Sequence, residues 1–257
     1  MRDLKLALRQ ILYINQAFVR NPASAFFTLV FPLMFLVIFT VIFGSGTMRV
    51  SRDVTVHVST FYVPAISAFS VITACYTNIA IGLTFARDSG ALKRMRGSPM
   101  PAWAYMFARI VHAVLVASLL VVICAAFGAV FYQATLPTST LPAFLLALVV
   151  GAATFCALGV AVTSVIPTSD AAPAIVNASV LPLMFISNVF IPLENPPAWI
   201  DIVAKIFPVR HFADALIGSF FQLNGSGLHA NDLLVLGAWG AGGLIVAVRL
   251  FDWEPRI

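Results

Sequence analysis

The chain has 257 residues, of which 61% are hydrophobic and only 10% are charged, with a net charge of +5. Its mean hydropathy of +0.98 lies outside the range of soluble proteins, whose surfaces need many more polar residues. This composition excludes a soluble domain and predicts a membrane protein. Lipid-facing helices can be apolar all round because their backbone hydrogen bonds are satisfied internally.

The first segment, residues 1–22, predicts an amphipathic helix. At 100° per residue its apolar side chains fall in one arc, whereas Lys5, Arg9 and Arg20 lie roughly opposite. A basic helix of this kind lies in the headgroup layer with its apolar face towards the lipid. We expect Asn21 and Pro22 to end it. It could act as a topology anchor alone or also form one wall of a docking site.

Six apolar stretches follow that are long enough to cross about 30 Å of hydrocarbon. They are residues 26–44, 61–85, 103–131, 141–166, 173–191 and 232–250. The chain is therefore predicted to be an all-α membrane protein, with residues 1–257 forming a single transmembrane domain. Two connectors stand out: residues 86–102, which carry four of the fifteen Lys and Arg, and residues 192–231, which predict two short interfacial helices.

Lys and Arg are distributed unevenly between the two sides of these spans. Eleven lie on one side: Arg2, Lys5, Arg9, Arg20, Arg87, Lys93, Arg94, Arg96, Arg109, Arg249 and Arg256. Four lie on the other: Arg49, Arg52, Lys205 and Arg210. The positive-inside rule then predicts a multi-pass protein of the plasma membrane with both termini in the cytoplasm. The positive charge reflects topology, and no motif indicates nucleic-acid binding.

The sequence lacks the motifs of several energy sources and cofactors. No lysine follows a glycine, so there is no P-loop, and no Asp, Glu or Lys lies mid-span to bind a coupling ion. The glycines of residues 237–243 indicate close helix packing, since they lack the context of a dinucleotide site. Cys75, Cys124 and Cys156 lie in apolar runs and are interpreted as small hydrophobic residues, so no metal site is predicted.

His211 and Asp214 are three residues apart on a predicted helix and could share a proton. They allow the hypothesis of a membrane-embedded enzyme. No nucleophile-elbow motif accompanies them, so a surface pair with no catalytic role is the favoured interpretation.

Uncharged polar residues mark the second and fifth spans. Ser67, Ser70, Thr77 and Asn78 fall within about 100° on a helical wheel, and Asn177 and Asn188 return to within about 20° of each other. Unpaired amides are costly in lipid, so these stripes face either other helices or a cavity. The second possibility is a translocation path, for which we name Ser70, Tyr76, Thr77, Asn78, Asn177, Met184, Phe185 and Asn188.

Two motifs carry a resemblance to a known family. After the second span, Arg87, Asp88, Gly90, Leu92, Arg94 and Pro99 match the sense of "R-E-x-G-T-L-E-R-L … T-P". "NVFIPLENPPAW" and "PVRHFADAL" precede the last span. In this order and on these sides, the motifs resemble the ABC-2 type membrane subunits of ABC exporters, particularly drug-resistance and antibiotic-export permeases. The chain departs from the pattern at Ala91, Lys93 and Ile217.

The resemblance implies an ABC-2 (type V exporter-like) fold of six spans and an N-terminal interfacial helix. It further implies a permease dimer, homomeric or heteromeric, with two separate ATPase subunits that hold the ATP and Mg²⁺, so this chain would itself be no enzyme. The ATPase-coupling residues would be Arg87, Asp88, Gly90, Leu92, Lys93, Arg94, Arg96 and Pro99. The substrate would be a hydrophobic or amphipathic compound.

Three alternatives stay open beside a drug, antibiotic or lipid exporter. The permeases that export lipid-linked polysaccharides share this topology. A membrane enzyme would use His211 and Asp214. A structural or assembly protein of the membrane would need no ATPase.

Overall fold

The computed structural model of the protein describes residues 2–44, 46–51, 54–97, 101–191, 197–223 and 225–253. Most of these residues are helical, and one antiparallel hairpin interrupts the helices. The helices are α1 (Arg2–Arg20), α2 (Pro22–Phe43), α3 (Val58–Ile72), α4 (Asn78–Asp88), α5 (Ala91–Arg96), α6 (Ala102–Tyr132), α7 (Leu141–Val162), α8 (Ala172–Phe185), α9 (Ala198–Ile206), α10 (Pro208–Phe220) and α11 (Ala230–Leu250). Strands β1 (Thr47–Ser51) and β2 (Val54–His57) form the hairpin, and the π turn Thr73–Thr77 joins α3 to α4.

Five helical stretches among the described residues are long and apolar enough to cross a membrane. They are Ala25–Phe43, Val58–Asp88, Trp103–Tyr132, Leu141–Val162 and Ala230–Leu250. The predicted fifth span corresponds to α8, a shorter apolar helix of 14 residues. At 1.5 Å per residue α8 is about 21 Å long, which is less than the hydrocarbon thickness. The prediction of a helical membrane protein is confirmed, with one span shorter than expected.

The second span is the centre of the bundle. The stretch Val58–Asp88 is mostly buried, and α2, α6, α7 and α10 all pack against it. In contrast α2 and α11 leave wide apolar faces exposed, as expected of helices on the outside of a membrane bundle. The core of the protein is therefore built around one helix rather than between two layers.

The bundle has two ends. At one end lie α1, α5 and the last turn of α11, where Phe251 and Trp253 line a cavity together with Met106 and Ile110 of α6. We call this the connector end. The β hairpin, α9 and α10 lie at the other, which we call the hairpin end. There the hydroxyl of Tyr62 donates to the carbonyl of Phe190 and ties α3 to the segment after α8.

Glycines allow α7 to approach two neighbours closely. A Cβ at Gly240 would lie 2.9 Å from Thr154 Oγ1, and one at Gly243 would lie 3.0 Å from Leu158 Cδ2. The close packing predicted for the glycines of α11 is confirmed at these two positions. On the other side of α7, a Cβ at Gly159 would lie 2.9 Å from the carbonyl oxygen of Cys75, in the π turn. The backbone of α7 thus touches the middle of the second span.

The predicted end of α1 and the presence of two short helices in residues 192–231 agree with the structure. Helix α1 ends at Arg20 and α2 begins at Pro22, as the Asn-Pro pair predicts. The two short helices expected in residues 192–231 are α9 and α10. Helix α10 is buried against α3, α7 and α11 rather than lying at a surface. The β hairpin was not predicted.

The end of α8 corrects one prediction. The wheel that placed Asn177 and Asn188 on one face assumes an unbroken helix, but α8 ends at Phe185. Asn188 has a φ of 59°, in the left-handed region that ends helices rather than continues them. The prediction that Asn177 and Asn188 share one helix face is therefore wrong, because the chain has already turned towards the hairpin end before Asn188.

Candidate functional site

Arg87, near the end of α4, is held entirely within the protein at the connector end. Its side chain is 2% exposed, although it is the largest of the buried side chains. Nη1 donates to the carbonyl oxygen of Thr163 at 3.2 Å, and Nη2 donates to those of Ile166 at 2.9 Å and Pro167 at 3.1 Å. These three carbonyls lie just after the end of α7, where the chain no longer continues the helical hydrogen bonds, so Arg87 satisfies groups that would otherwise be orphaned.

Asp88 completes this contact. Its Oδ1 pairs with Nε of Arg87 at 3.0 Å, and its Oδ2 accepts a hydrogen bond from the backbone N–H of Ser169. The carboxylate therefore neutralises the buried guanidinium and binds the same connecting segment, which leads into α8. We call this set of bonds between residues 87–88 and 163–169 the connector latch. It joins the second span to both α7 and α8.

The chain reverses immediately after the latch. Gly90 has a φ of 70° and starts α5 in a left-handed conformation, which glycine adopts without steric cost. Leu92 is fully buried and anchors α5 to the core, whereas Lys93 and Arg94 are exposed. Helix α5 is thus a short element with one apolar anchor and an exposed basic face.

The residues predicted for ATPase coupling therefore divide into two groups. Arg87, Asp88 and Leu92 point into the protein, whereas Lys93 and Arg94 face outwards. The sequence predicted charges directed towards a partner throughout this stretch, and in this structure the Arg87 guanidinium is directed towards the chain's own carbonyls. Pro99 and the side chain of Arg96 lie outside the described residues.

Helix α1 lies against the start of α6. Ala7 is buried there, and Asn15 Oδ1 lies 2.8 Å from Nδ1 of His112. The three predicted basic residues, Lys5, Arg9 and Arg20, are exposed. So are Leu8, Leu12 and Val19 of the predicted apolar arc. Only part of that arc packs within the chain, which leaves an apolar ridge available to lipid.

Tyr76 and Ser179 join the second span to α8. The Tyr76 hydroxyl lies 2.7 Å from Ser179 Oγ, and Ser179 Oγ in turn donates to the carbonyl of Val176. Both residues line a cavity of about 320 Å³ whose other walls are mainly aliphatic and aromatic. Ser179 was not predicted as a site residue. Its signal was its position two residues after Asn177, in the polar part of the fifth predicted span.

The other predicted path residues are scattered. Ser70 is fully buried and donates to the carbonyl of Ile66, while Met184 is buried in the core. Asn78, Asn177 and Phe185 are exposed, and Thr77 is half-buried. The polar stripe of the second span divides at the π turn, because a wheel at a constant 100° per residue does not hold across it.

Asn188 belongs to a polar cluster at the hairpin end. Its Nδ2 donates to Asp214 Oδ1 at 3.3 Å, and Arg210 Nε donates to Asp214 Oδ2 at 2.6 Å. Burial raises the pKa of Asp214, while the charge and the hydrogen bond of Arg210 oppose that shift. Asp214 is thus bonded to Arg210 and Asn188.

His211 has different partners from Asp214. Its Nδ1 lies 2.6 Å from Asp232 Oδ1, and its Nε2 lies 2.8 Å from the carbonyl oxygen of Lys205. His229 Nδ1 lies 3.3 Å from the other oxygen of Asp232. The proton-sharing pair of His211 and Asp214 that the sequence allowed is therefore wrong, and Asp232 is the carboxylate that both histidines use. No group of three potential ligands suited to a metal ion occurs among the described residues.

The arrangement of these elements matches a known family over most of the chain. The model of the ABC-2 type transporter family matches residues 7–221. This chain belongs to the ABC-2 type transporter family. The match includes most of α1, the connector latch and α10, whereas His229 and Asp232 lie beyond it.

This chain is similar to proteins that are named as transport permeases. It is 30% identical over 156 residues to proteins of Escherichia coli strain K12 and O157:H7, each named a probable multidrug ABC transporter permease, YbhR. That alignment covers 60% of this chain and 42% of the relatives, so the chain spans less than half of their length. A protein of Cyanophora paradoxa named as a candidate transport permease, ycf38, is 25% identical over 240 residues, 91% of this chain and 80% of the relative. The chain is thus a multi-pass membrane protein of a transport-permease family.

Proposed function

We propose that this chain is the membrane-spanning subunit of an ATP-driven ABC exporter that moves a hydrophobic or amphipathic compound out of the cell. Two separate ATPase subunits bind the ATP and Mg²⁺ and hydrolyse the ATP, and a second permease subunit, identical or related, completes the transporter. This chain binds no cofactor of its own. Its membership of the ABC-2 family supports the partnership with an ATPase.

The connector latch is the observation that carries this proposal. An ATPase at the connector end would push on α5, whose buried Leu92 fixes it to the bundle. The push would pass into α4 and, through Arg87 and Asp88, into residues 163–169 and the start of α8. The second span and α8 would then move together, because buried charged hydrogen bonds join them. A chain without an ATP site needs such a rigid connection to receive mechanical work.

The cavity beside Tyr76 supports an amphipathic or hydrophobic substrate. Two hydroxyl groups, those of Tyr76 and Ser179, face a space of about 320 Å³ whose other walls are mainly apolar. Sites for small hydrophobic molecules have this composition, with a few polar groups to fix orientation. The mainly apolar walls favour a drug, antibiotic or lipid over a lipid-linked polysaccharide. The proposed path runs between the second span and α8.

The sidedness of the proposal comes from charge. The predicted topology assigns eleven of the fifteen Lys and Arg to the side of the connector end and four to the side of the hairpin end. We assign the connector end and both termini to the cytoplasm on the positive-inside rule. The exposed basic face of α5 and the basic residues of α1 would then meet the ATPase and the anionic headgroups.

Charge reversal on α5 tests the coupling role. The Arg94→Glu/Arg96→Glu double variant should insert in the membrane normally but lose most of its bound ATPase, because rim charges steer and hold a partner. The measurement is the molar ratio of ATPase to permease after affinity purification of the tagged permease from membranes. With the ATPase bound, apolar compounds should also stimulate hydrolysis in the wild type, and less so in Tyr76→Phe.

The matched control for this experiment is Lys205→Glu, which reverses an exposed cation at the hairpin end. It should keep the wild-type ratio of ATPase to permease. If the α5 double variant also keeps that ratio, the docking assignment is wrong. If no ATPase copurifies with the wild type, the chain acts as a structural or assembly protein instead.

A further inference from the structure

A second cleft lies at the connector end, away from the cavity of Tyr76. It consists of two adjoining cavities of about 400 and 300 Å³ between α1, α2, α4 and α6. Thr28, Ala74 and Asn78 line both cavities, so the two spaces form one continuous cleft. We call it the α2–α6 cleft.

The wider part of the cleft contains a cation. Arg109 of α6 lines it, with Nε donating to the Tyr105 hydroxyl at 3.0 Å and the guanidinium carbon 5.5 Å from the centre of the Tyr105 ring. A Cβ on Gly82 would lie 3.1 Å from Arg109 Nη1, so the guanidinium rests against the backbone of α4. The ion pairs found among the described residues involve other cations and leave Arg109 without a carboxylate.

Polar groups surround this cation. His112 and Asn21 line the same cavity, and Asn78 lies where the two cavities meet. His112 is bonded through Nδ1 to Asn15 of α1. A cation at the edge of a membrane bundle is costly unless an anion pairs with it, since the surrounding medium solvates it poorly. The wider part of the cleft therefore has the charge and hydrogen-bonding groups of an anion site.

The narrower part of the cleft is apolar and aromatic. Its walls include Phe27, Phe31 and Pro32 of α2 together with Leu120 of α6. Phe27 and Phe31 are substantially exposed, so part of each ring surface remains available to a ligand. A chain of methylene groups is the ligand that such walls accommodate best. The cleft thus has a cationic head region that continues directly into an apolar tail region.

We propose that the α2–α6 cleft binds an acidic phospholipid from the leaflet at the connector end. The phosphate pairs with Arg109 and accepts a hydrogen bond from Asn78, and one acyl chain lies between Phe27, Phe31 and Leu120. Helix α1, which walls the cleft through Ile14, Ala17 and Phe18, holds the headgroup in place from the other side. Although the sequence placed Asn78 on the translocation path, the cleft shares no lining residue with the cavity of Tyr76, and this proposal does not depend on the chain being an exporter.

Lipid retention by the purified full-length chain tests the proposal. Native mass spectrometry in detergent would count bound phosphatidylglycerol and bound phosphatidylcholine over a titration of each. We expect phosphatidylglycerol to bind more tightly, and Arg109→Gln to weaken it by about tenfold or more, because a hydrogen-bonded ion pair is lost. Arg109→Lys should keep most of the affinity. The matched control is Arg249→Gln, which removes an exposed cation in the last turn of α11 and should change nothing.

Two further arms separate the head from the tail. Thr28→Phe fills the junction of the two cavities and should weaken long-chain phosphatidylglycerol but not the dihexanoyl form. Inorganic phosphate should not displace the long-chain lipid, since it lacks the acyl chain. Displacement by phosphate, or equal binding of the two lipid classes, would overturn the proposal. So would an equal loss in Arg109→Gln and Arg249→Gln. A misfolded Arg109→Gln leaves Arg109→Lys and Thr28→Phe to decide the outcome.

Discussion

The connector end and the hairpin end fasten the bundle with different chemistry. At the connector end, the permanently charged Arg87 donates to three backbone carbonyls and pairs with Asp88. At the hairpin end, His211 of α10 bonds to Asp232 of α11, and His229, just before α11, contacts the other oxygen of the same carboxylate. Each end ties one helix to its neighbour, but only the hairpin end does so through imidazole groups.

His211 makes two polar contacts at the hairpin end. Both of its ring nitrogens face oxygens, one from Asp232 and one from the carbonyl of Lys205. An arginine keeps its charge at every physiological pH, whereas histidine changes charge within that range. The hydrogen bond with Asp232 raises the pKa of His229, so the hairpin end contains a contact that responds to pH, whereas Arg87 keeps its charge.

Loss of Arg87 should have the largest effect. Arg87→Met leaves Asp88 without its cation and removes the donors to three carbonyls, so we expect the free energy of unfolding to fall by about 3–5 kcal/mol. Denaturant unfolding of the purified chain in detergent measures this change. The control is Arg94→Met, an exposed cation of the same connector, which should cost less than about 0.5 kcal/mol. Similar losses in the two variants would show that the latch does not hold the connector end.

Raising the pH should loosen the hairpin end alone. The hydrogen bond with Asp232 raises the pKa of His229. A raised folded-state pKa gives stabilisation that is complete below the unfolded value of about 6.5 and is lost as the pH rises through the folded value. Hydrogen-exchange protection factors of α10 and the first turn of α11 should therefore fall over this range, while those of α4 stay constant.

His229→Gln provides the control for the pH experiment. It keeps a side chain that can donate to Asp232 but removes the titration of residue 229, so the protection factors of α10 should depend less on pH in this range. Arg87→Met should keep the wild-type pH dependence. A pH dependence of α4 equal to that of α10 would contradict the division of roles between the two ends.

The smallest effect is expected at the exposed pair of α9. Lys205 and Asp201 lie at i and i+4 and form an ion pair in which the Lys205 side chain is 62% exposed. Solvent screens such pairs, so Lys205→Gln should lower the free energy of unfolding by only about 0.3–0.5 kcal/mol. The same denaturant measurement applies. A loss above about 1 kcal/mol would indicate that the hairpin end depends on more than its histidine cluster.

Hydropathy and charge predicted the elements that are determined by residues close together in the sequence. The break between α1 and α2 follows from Asn21 and Pro22, and the long spans follow from apolar runs. The β hairpin also had a local signal, since residues 54–57 alternate and are alternately exposed. That signal is short and lies between two long apolar runs, so hydropathy does not distinguish the hairpin from a simple connection between spans.

Features that depend on packing could not be predicted in this way. The inward direction of Arg87 depends on where α7 ends, which places free carbonyls beside α4. The π turn lies where Gly159 allows α7 to touch the second span. The residues of 73–77 form no pattern that predicts such a turn. Asp232 was missed as the partner of His211 because the two are 21 positions apart. These contacts arise only when the helices are assembled.

The buried thiols give the protein its own reporters of motion. Cys75, Cys124 and Cys156 are all free and buried, and Cys75 of the π turn faces Cys156 of α7. A membrane-permeant alkylating reagent reaches these sulfurs only when the helices separate. The rate of labelling at Cys75 and Cys156 would thus record how often α7 leaves the second span, whereas Cys124 would record the movement of α6. The helix movements of the wild-type chain can therefore be followed without an introduced probe.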